Sequence, residues 1–377
     1  MSRRQTAPRA PRISSHRMIP LVKPRFWSSG APPLARLLAV ALWPLSLVYR
    51  AGYTLNRLFA RPVSLDIPLI CIGNAVAGGA GKTPCTLAIY HAVVQHGLAQ
   101  NPVIFLKGYK AKLRGPLFIA PSQAAEYSAD HIGDEAMMVA RKGYPVILSH
   151  NRADGVAFAQ AQGFDCIIMD DGLQNPSLRP DLSLCVVDAA YGFGNGFTLP
   201  AGPLREGIGS LNTRVDGYVV IGHSLGTPFA VATDKPVWQS ALEVESDKIA
   251  SPDTPILAFA GIARPQKFYD SLRQAGYVLA DSVDFPDHYA YTRNDLDGLL
   301  QRAKNAGARL MTTEKDHARI ADENMARKIG VLPVRLRFAA PPAHSAQPDF
   351  LAFLESAMAR IRTNKNKHDN KRKEGVA

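Results

Sequence analysis

The chain has 377 residues, 46% of them apolar and 20% charged, and its formal net charge is +12 at neutral pH. This composition excludes an intrinsically disordered protein, and the length is sufficient for two domains with separate hydrophobic cores. The four cysteines show no CxxC spacing, so we expect small buried side chains in a reducing compartment and neither disulfides nor a cysteine metal site.

The positive charge is concentrated at the two ends of the chain. Residues 1–65 contain eleven Lys or Arg and no Asp or Glu, residues 360–377 have a net charge of +5, and residues 66–359 therefore carry about −4. Basic ends on an acidic body indicate attraction to an anionic membrane surface. A nucleic-acid partner is not expected, since no motif of interleaved aromatic and basic residues is present. No feature of the sequence indicates an obligate protein partner.

The N-terminal region predicts a disordered extension followed by a membrane-associated helix. Residues 1–24 are basic and contain prolines, and residues 25–61 include thirteen uncharged residues in a row, 37–49. On a helical wheel the arginines of this segment fall within a narrow arc, with leucines, Tyr49 and Phe59 roughly opposite, although Trp43 falls on the arginine side. The apolar run is shorter than the roughly 20 residues of a span, so we expect a helix in the bilayer interface on the cytoplasmic leaflet.

Three other interpretations of residues 25–61 remain open from the sequence. A signal peptide is disfavoured because no small-residue cleavage site follows. A helix of the protein core and a tilted single span both fit the apolar composition, although Pro44 interrupts the run.

A glycine-rich loop at residues 73–84 follows the apolar run 68–72 and precedes a stretch with helical character, 85–94. Strand, glycine loop and helix in this order are typical of a nucleotide-phosphate cradle, where backbone N–H groups and the helix N-terminus bind phosphates. The full pattern has Gly where this chain has Val76, so the loop is a variant. We expect the hydroxyl of Thr83 to bind Mg²⁺. The predicted phosphate-binding residues are Gly78, Gly79, Ala80, Gly81, Lys82 and Thr83.

The body alternates apolar runs with helical stretches, which predicts parallel strands joined by helices. The expected fold is α/β, with a doubly wound sheet of the P-loop NTPase type at residues 62–216. A second, smaller α/β domain is expected at residues 217–360 and a basic disordered tail at residues 361–377. The predicted strands after the loop are residues 102–106, 145–149, 166–169, 182–187, 217–221 and 255–259.

Two consecutive carboxylates, Asp170 and Asp171, follow the apolar run 166–169. An acidic residue at the carboxyl end of a strand in a P-loop domain is the usual second anchor of Mg²⁺, which predicts a metal site here. The alternative is a carboxylate that only caps a turn.

Three further segments carry charged residues whose roles the sequence leaves open. Asp134 opens a helix, where it is either an N-cap or a base that accepts a hydroxyl proton, and the cap is the safer interpretation from the residues alone. The loop 200–206 has a charged tip, but its composition is typical of structural loops. His288 follows a carboxylate and a proline turn, so it can reach across a cleft, although a lone histidine is more often structural.

These segments occur in an order that resembles the tetraacyldisaccharide 4′-kinase family of lipid A biosynthesis. The blocks that carry the resemblance are residues 73–84, Gly-Asp-Glu at 133–135, Asp-Asp-Gly-Leu-Gln at 170–174, Gly-Pro-Leu-Arg-Glu at 202–206, Ala-Gly-Ile at 260–262, Phe-Pro-Asp-His at 285–288 and Thr-Glu-Lys-Asp at 313–316. Any one block is weak, whereas their joint order is specific and covers nearly the whole chain.

The resemblance implies ATP-dependent phosphorylation of a membrane lipid. The acceptor would be the 4′-hydroxyl of a tetraacyl glucosamine disaccharide 1-phosphate, and the product would be lipid IVA. The implied cofactors are ATP and Mg²⁺, and the implied location is the cytoplasmic face of the bacterial inner membrane. The family also has a P-loop domain, a smaller second domain and a membrane-associated N-terminal helix.

The resemblance also assigns roles by position. Asp134, helped by His288, resembles the base pair that activates the sugar hydroxyl, and Asp170 and Asp171 resemble the acidic metal site. The other matching positions are Arg152 and Gln174, expected to contact the cofactor, and Glu206, expected at the metal.

One position departs from the family pattern. The family usually has Arg-Gly-Tyr-Gly where residues 107–110 of this chain are Lys-Gly-Tyr-Lys, and lysine lacks the bidentate fork of arginine.

The rival class is a membrane-recruited switch ATPase, because such proteins share the Gly-Gly-x-Gly-Lys-Thr sequence. They carry a lysine where this chain has Ala77. Turnover that depends on a lipid sugar acceptor separates the two classes.

Overall fold

The computed structural model describes residues 24–222, 233–245, 254–341 and 347–374, so the predicted extension 1–24 lies outside it except for its last residue. Within these ranges the strands are β1 (Leu69–Gly73), β2 (Pro102–Leu106), β3 (Leu117–Ile119), β4 (Val146–Leu148), β5 (Cys166–Asp170), β6 (Leu182–Asp188), β7 (Gly217–Ile221), β8 (Val237–Val244), β9 (Ile256–Ala260), β10 (Leu279–Asp284), β11 (Arg309–Thr313), β12 (Gly330–Leu332) and β13 (Val334–Phe338). The α-helices are α1 (Pro33–Leu58), α2 (Lys82–Gln95), α3 (Ala129–Ile132), α4 (Asp134–Arg141), α5 (Arg152–Ala161), α6 (Ile208–Asn212), α7 (Pro265–Gln274), α8 (Arg293–Asn305), α9 (Glu314–Ala318), α10 (Glu323–Ala326) and α11 (Phe350–Glu374).

The larger sheet has the strand order β13-β8-β7-β6-β1-β5-β2-β4-β3 in the described chain. Its strands from β8 to β4 are parallel, and the antiparallel strands β13 and β3 form the two edges. Strands β1, β2, β5 and β6 are buried on both faces. Double burial explains why these strands appear in the sequence as continuous apolar runs and not as alternating patterns.

Helices cover both faces of this sheet, which confirms the predicted doubly wound α/β layer. On one face, Ile89 of α2 and Leu354 of α11 pack in one cluster with Ile70 and Ile168 of the sheet. On the other face, Val156 of α5 packs with side chains of β1, β2 and β5. The carboxyl ends of the parallel strands are left for ligands, as expected for such a sheet.

A smaller sheet of parallel strands, in the order β10-β9-β11-β12 within the described residues, forms a second α/β unit. Helix α8 packs on it through Leu296 and Leu299, and α7 packs through Phe268 and Leu272. We call this unit, residues 254–332, the small domain, and the larger sheet with its helices the large domain. After β12 the chain returns to the large domain, where β13 pairs with β8.

The two sheets divide the chain at a different place from the predicted boundary at residue 217. Strand β7, expected to open the second domain, pairs in parallel with β6, and β8 continues the same sheet. The small domain's first strand is β9, which begins at Ile256. The reason is that a short apolar run indicates a strand buried on both faces but does not indicate which sheet the strand joins.

The C-terminal tail also differs from its prediction. Residues 361–374, expected to be disordered, continue helix α11. Ile361 is buried in the core of the large domain, and the ammonium of Lys365 lies 2.8 Å from Asp181 Oδ2 and 2.6 Å from the carbonyl oxygen of Leu65. These tertiary contacts order a segment whose composition by itself predicts disorder.

Helix α1 contacts the large domain through small and polar side chains and exposes its apolar ones. Ala39 and Ser46 are buried, whereas Leu34 and Val48 are 80% and 70% exposed. The Ser46 hydroxyl donates to the carbonyl oxygen of Thr198 (2.8 Å). The helix is long and apolar enough to cross a membrane, by length and composition, and only 11% of its most apolar stretch is buried. This exposure argues against a helix of the protein core.

We expect Leu354→Ala to lower the free energy of unfolding by about 2–5 kcal/mol, because it removes buried methyl groups and leaves a cavity. Leu354 is fully buried where α11 packs on the large domain. Urea unfolding followed by circular dichroism measures the change. The control is Ser356→Ala, at an exposed position of the same helix, with an expected change within about 0.5 kcal/mol. Equal stability of Leu354→Ala and the unchanged protein would show that α11 does not dock as described.

Candidate active site

The glycine loop leaves the carboxyl end of β1 and ends at the first turn of α2. Gly78 and Gly81 have φ angles of 105° and 87°, in the left-handed region that favours glycine. A Cβ atom at Gly81 would lie 2.6 Å from Ile221 Cδ1, so a larger residue would have to displace that side chain and would also strain the backbone. Since the first N–H groups of a helix have no partner inside it, the loop and the start of α2 form a site for an anion.

Asn74, which belongs to the sequence block 73–84 but to which the sequence assigns no role, holds the loop in shape. It is fully buried, and its Nδ2 donates to the carbonyl oxygens of Val76 (2.8 Å) and Gly78 (3.1 Å). Its Oδ1 accepts a hydrogen bond from Lys82 Nζ (3.3 Å). The available signal is an asparagine directly before a glycine loop, because an asparagine side chain can take the place of backbone partners in a turn.

Thr83 and Asp170 contact each other where α2 begins and β5 ends. The Thr83 hydroxyl donates to Asp170 Oδ2 (2.8 Å), and Asp170 is 3% exposed. Asp170 Oδ1 has no hydrogen-bond partner in the described part of the chain. Burial, and secondly the charge of Glu135, raise the pKa of Asp170 to about 7. A buried carboxylate with an unsatisfied oxygen beside a hydroxyl fits a bound cation such as Mg²⁺.

Asp171, the next residue, lies among basic side chains. Its φ angle of 56° is uncommon for a residue other than glycine and turns the chain at the end of β5. Arg205 Nη1 donates to Asp171 Oδ1 (2.8 Å), and Lys82 Nζ lies 3.7 Å from the same oxygen. Arg152 Nη2 donates to the Asp171 carbonyl oxygen (2.8 Å). Burial alone would raise the pKa of Asp171, but the charges of Lys82 and Arg205 lower it, so the ionised carboxylate orders these cations.

Gln174 and Glu206 connect the next loops to the glycine loop. Gln174 Nε2 donates to the Asn74 carbonyl oxygen (3.0 Å) and to Glu206 Oε1 (3.0 Å). Glu206 is 1% exposed and forms an ion pair with Arg214, a second residue that the sequence motifs do not indicate. Because these partners satisfy the Glu206 carboxylate, its contacts favour a positioning role over the expected metal contact.

The residues expected at the metal do not form one cluster. No group of three or more His, Cys, Asp or Glu side chains in the described ranges is arranged to hold a metal ion. Thr83 and Asp170 are in contact, whereas Asp171 binds cations and Glu206 binds Arg214. A Mg²⁺ ion that travels with nucleotide phosphates needs only one or two protein carboxylates, so the pair Thr83 and Asp170 is sufficient for such an ion.

Asp134 and His288 meet where the two domains contact each other. Asp134 is the first residue of α4 in the large domain, and His288 lies in the loop between β10 and α8 of the small domain. Asp134 Oδ2 lies 2.8 Å from His288 Nδ1 and accepts a hydrogen bond from Arg319 Nε (2.7 Å). Burial alone would raise the pKa of Asp134, but the His288 hydrogen bond and the Arg319 charge lower it to about 2. These contacts favour a chemical role for Asp134 over that of a helix cap.

Other ion pairs join the domains beside this contact. Lys142 Nζ of α4's C-terminal end lies 2.5 Å from Glu314 Oε1 of the small domain. Asp188, at the carboxyl end of β6, lies 2.7 Å from Lys267 Nζ and also pairs with Arg264. The small domain is therefore held over the strand ends at which the glycine loop lies.

The glycine loop has the form of a phosphate-binding site, and a carboxylate paired with an imidazole, as in Asp134 and His288, can accept a proton from an attacking group. A P-loop sheet that combines the two has the parts that phosphoryl transfer requires, which are phosphate binding, charge neutralisation and a base. The fold and the site therefore define a P-loop phosphotransferase.

Comparison with known proteins identifies the family. A family model described as LpxK, tetraacyldisaccharide-1-P 4′-kinase, matches residues 38–352. Proteins named tetraacyldisaccharide 4′-kinase from Methylobacterium nodulans and Hyphomonas neptunium are 42% and 40% identical to this chain, over 85% and 79% of it and 93% and 88% of their own lengths. The chain belongs to the tetraacyldisaccharide-1-P 4′-kinase family, as the order of its motifs predicts.

A solved structure shows the same fold. The crystal structure of the "apo" form of LpxK from Aquifex aeolicus in complex with ATP matches with a TM-score of 0.65 at 23% identity. The match covers 86% of this chain and 99% of that chain. The predicted P-loop fold is thereby confirmed.

The lowered pKa of Asp134 predicts a pH-dependent contribution to stability. The folded pKa of about 2 lies below the ordinary value of 3.8, so the contribution is fully present above about pH 5 and is lost as pH falls through 2. We expect Asp134→Asn to lower the free energy of unfolding by about 1–2 kcal/mol at pH 6 and by roughly half as much at pH 3. Urea unfolding of both proteins at the two pH values measures this. A difference that stays constant with pH would contradict the ion-pair assignment.

Proposed function

We propose that the protein transfers the γ-phosphate of ATP to the 4′-hydroxyl of a tetraacyl disaccharide 1-phosphate and forms lipid IVA. Family membership supports this reaction. The observation that carries it for this chain is the contact of Asp134 with His288 at the domain interface. A kinase needs such a pair to accept the hydroxyl proton, whereas a nucleotide-dependent switch has no need of it there.

ATP would bind through its phosphates to residues 78–83. The ammonium of Lys82, between Asn74 and Asp171, places a positive charge beside the loop. Arg152 Nε is buried without a hydrogen-bond partner in the described structure, so this guanidinium has donor capacity left for an anion. These features support binding of a triphosphate.

Mg²⁺ held by Thr83 and Asp170 would neutralise charge on the transferred phosphate. The protein contributes the unsatisfied Asp170 Oδ1 and the hydroxyl of Thr83, which holds the carboxylate in place. Glu135 lies close enough to raise the pKa of Asp170, and it is the residue after Asp134. Transfer to an acceptor hydroxyl would bring the γ-phosphate at the cation site together with the Asp134–His288 pair.

The Asp134–His288 pair would remove the acceptor's proton. The hydroxyl oxygen forms a bond to the γ-phosphorus, the bond between that phosphorus and the oxygen of ADP breaks, and the hydroxyl proton moves to the pair. Both side chains are accessible, with 22% and 23% of their surfaces exposed. Arg319, which donates to the same carboxylate oxygen as His288, helps to keep Asp134 ionised before the proton arrives.

Helix α1 would hold the enzyme at the cytoplasmic face of the inner membrane, where the lipid acceptor lies. Its exposed leucines and Trp43, which is 45% exposed, form an apolar surface that water does not favour. Arg36 and Arg50 lie on the same helix and are also exposed, so anionic headgroups have partners beside the apolar surface. An anionic membrane surface is therefore the proposed partner of α1.

We expect labelled γ-phosphate to move from ATP to tetraacyl disaccharide 1-phosphate in detergent micelles that contain Mg²⁺. Asp134→Asn should lower kcat by about 100- to 10,000-fold and leave KM for ATP nearly unchanged, because it removes the proton acceptor and not the phosphate site. The matched control is Asp130→Asn, an exposed carboxylate of α3 that pairs with Lys112. ATP hydrolysis by the unchanged protein without a labelled lipid would contradict the proposal and favour a switch ATPase.

Vesicle binding tests the role of α1. We expect Val48→Asp to weaken sedimentation of the protein with vesicles of phosphatidylglycerol and phosphatidylethanolamine by about tenfold or more, because it puts a charge on the apolar surface. Val278→Asp is the control, since Val278 is 63% exposed on the small domain and the change in charge is the same. Equal binding of both variants would show that α1 is not the membrane contact.

A further inference from the structure

A buried arginine lies behind the Asp134–His288 pair. The Arg319 side chain is only 3% exposed, which is rare for arginine. Its Nε donates to Asp134 Oδ2 (2.7 Å), and its Nη2 lies 3.4 Å from His288 Nδ1. Its Nη1 donates to Asp316 Oδ1 (2.6 Å) and to the carbonyl oxygen of Gly261 (2.8 Å). One guanidinium therefore connects the pair to the interior of the small domain.

The small domain fixes the position of Arg319. Asp316 is fully buried and accepts hydrogen bonds from the Gly261 N–H (3.0 Å) and from the Thr313 hydroxyl (2.7 Å). The Gly261 carbonyl oxygen that accepts from Arg319 also accepts from the His288 N–H (3.1 Å). Because Arg319 and His288 share this carbonyl group, the Arg319 guanidinium is held beside the backbone of His288.

These bonds leave one polar atom of each member of the pair available. Arg319 and His288 both bind Asp134 Oδ2, and no hydrogen bond in the described chain engages Asp134 Oδ1. His288 Nδ1 is occupied, and its Nε2 lies 3.9 Å from Asp287 Oδ1, beyond hydrogen-bond distance. Asp134 Oδ1 and His288 Nε2 are therefore the atoms that can meet a substrate.

We propose that Arg319 is a positioning residue of the transfer site, which holds the Asp134 carboxylate against His288 across the domain interface. This inference rests on the proposed kinase function. Arg319 forms and breaks no bond in the reaction and acts only through the pair. Asp134 belongs to the large domain and both of its partners to the small domain, so the pair is assembled only when the two domains are in contact.

The charge of Arg319 also controls how easily the pair takes up a proton from water. A cation that bonds to the carboxylate favours its ionised form, in agreement with the pKa of about 2 for Asp134. Without Arg319, the pair would become protonated at higher pH. The other titratable groups around the pair are Asp287 on the loop of His288, Tyr109 with its ring centroid 6.1 Å from that of His288, Asp316 behind Arg319, and the Glu135–Lys315 ion pair on α4 and α9.

The test compares Arg319→Gln and Arg319→Lys in the full-length protein, with kcat, KM for both substrates and the pH profile measured in micelles. We expect Arg319→Gln to lower kcat by about 100-fold, with KM for ATP nearly unchanged, and to move the acid limb of the kcat profile, measured at saturating ATP and Mg²⁺, upward by about one pH unit. Arg319→Lys keeps the charge but lacks the planar fork, so it should restore the pH profile and recover only part of kcat.

Lys315→Gln is the matched control. Lys315 lies on the same short helix as Asp316 and pairs with Glu135 across the same interface (3.8 Å), but it does not touch the Asp134–His288 pair. We expect the loss of kcat and the shift of the acid limb in this variant to be much smaller than in Arg319→Gln, because Lys315 makes no bond to Asp134. A loss that only reflects weaker domain contact would appear in this control as well.

A stability control is needed because Arg319→Gln leaves Asp316 buried without its cation. The double variant Arg319→Gln with Asp316→Asn removes both charges, and thermal unfolding reports whether it is folded. A folded double variant with lowered kcat and a shifted acid limb supports the inference. If neither variant that carries Arg319→Gln folds, Arg319→Lys tests the inference. A lowered kcat with an unshifted pH profile in that variant supports a positioning role.

An unchanged kcat and pH profile in a folded Arg319 variant would overturn the inference. That result differs from failure of the proposed function, in which the unchanged protein itself forms no phosphorylated lipid. An increase in KM for ATP or lipid without a decrease in kcat would also overturn the inference, because it would mean that Arg319 binds substrate and does not act on the transfer step.

Discussion

The Asp134 carboxylate is the point on which the arrangement of the two domains depends. It belongs to the large domain, and both of its hydrogen-bond donors, His288 and Arg319, come from the small domain. A carboxylate this close to a guanidinium and an imidazole is costly to separate from them, since its charge would lose its partners. The flanking ion pairs, such as Lys142 with Glu314, act in the same direction. The position of the small domain and the geometry of the proposed proton acceptor are therefore fixed together.

The other half of the site depends on two adjacent carboxylates that their surroundings make unlike. Asp170 ends a buried strand, and burial raises its pKa to about 7. Asp171 follows a turn of the backbone with a φ angle of 56° and lies among Lys82 and Arg205, which lower its pKa. Asp170 thus has too little positive charge around it to stay ionised easily, whereas Asp171 has enough to remain ionised. This difference supports a cation at Asp170 and an ordering role for Asp171.

Local signals predicted much of this structure, and long-range contacts account for what they missed. The glycine loop and Asp170 are recognisable because strand, loop and helix are adjacent in the sequence. The sheet that β7 joins was predicted wrongly, since pairing partners lie far apart along the chain. Arg319 was missed because its partner Asp134 lies 185 residues away. Only Asp316, three residues before it in a charged turn, offered a local sign.

Helix α1 reverses the usual arrangement of a surface helix. Its small and polar side chains face the protein, and its leucines face outward. Its contact with the site is direct. The hydroxyl of Tyr49 donates to the carbonyl oxygen of Arg205 (2.9 Å), and the guanidinium of Arg205 reaches Asp171 beside the glycine loop. If α1 lies in a bilayer as proposed, its insertion depth determines the distance between the phosphate site and the membrane surface. Helix α1 then sets how far from the bilayer the enzyme can reach a lipid substrate.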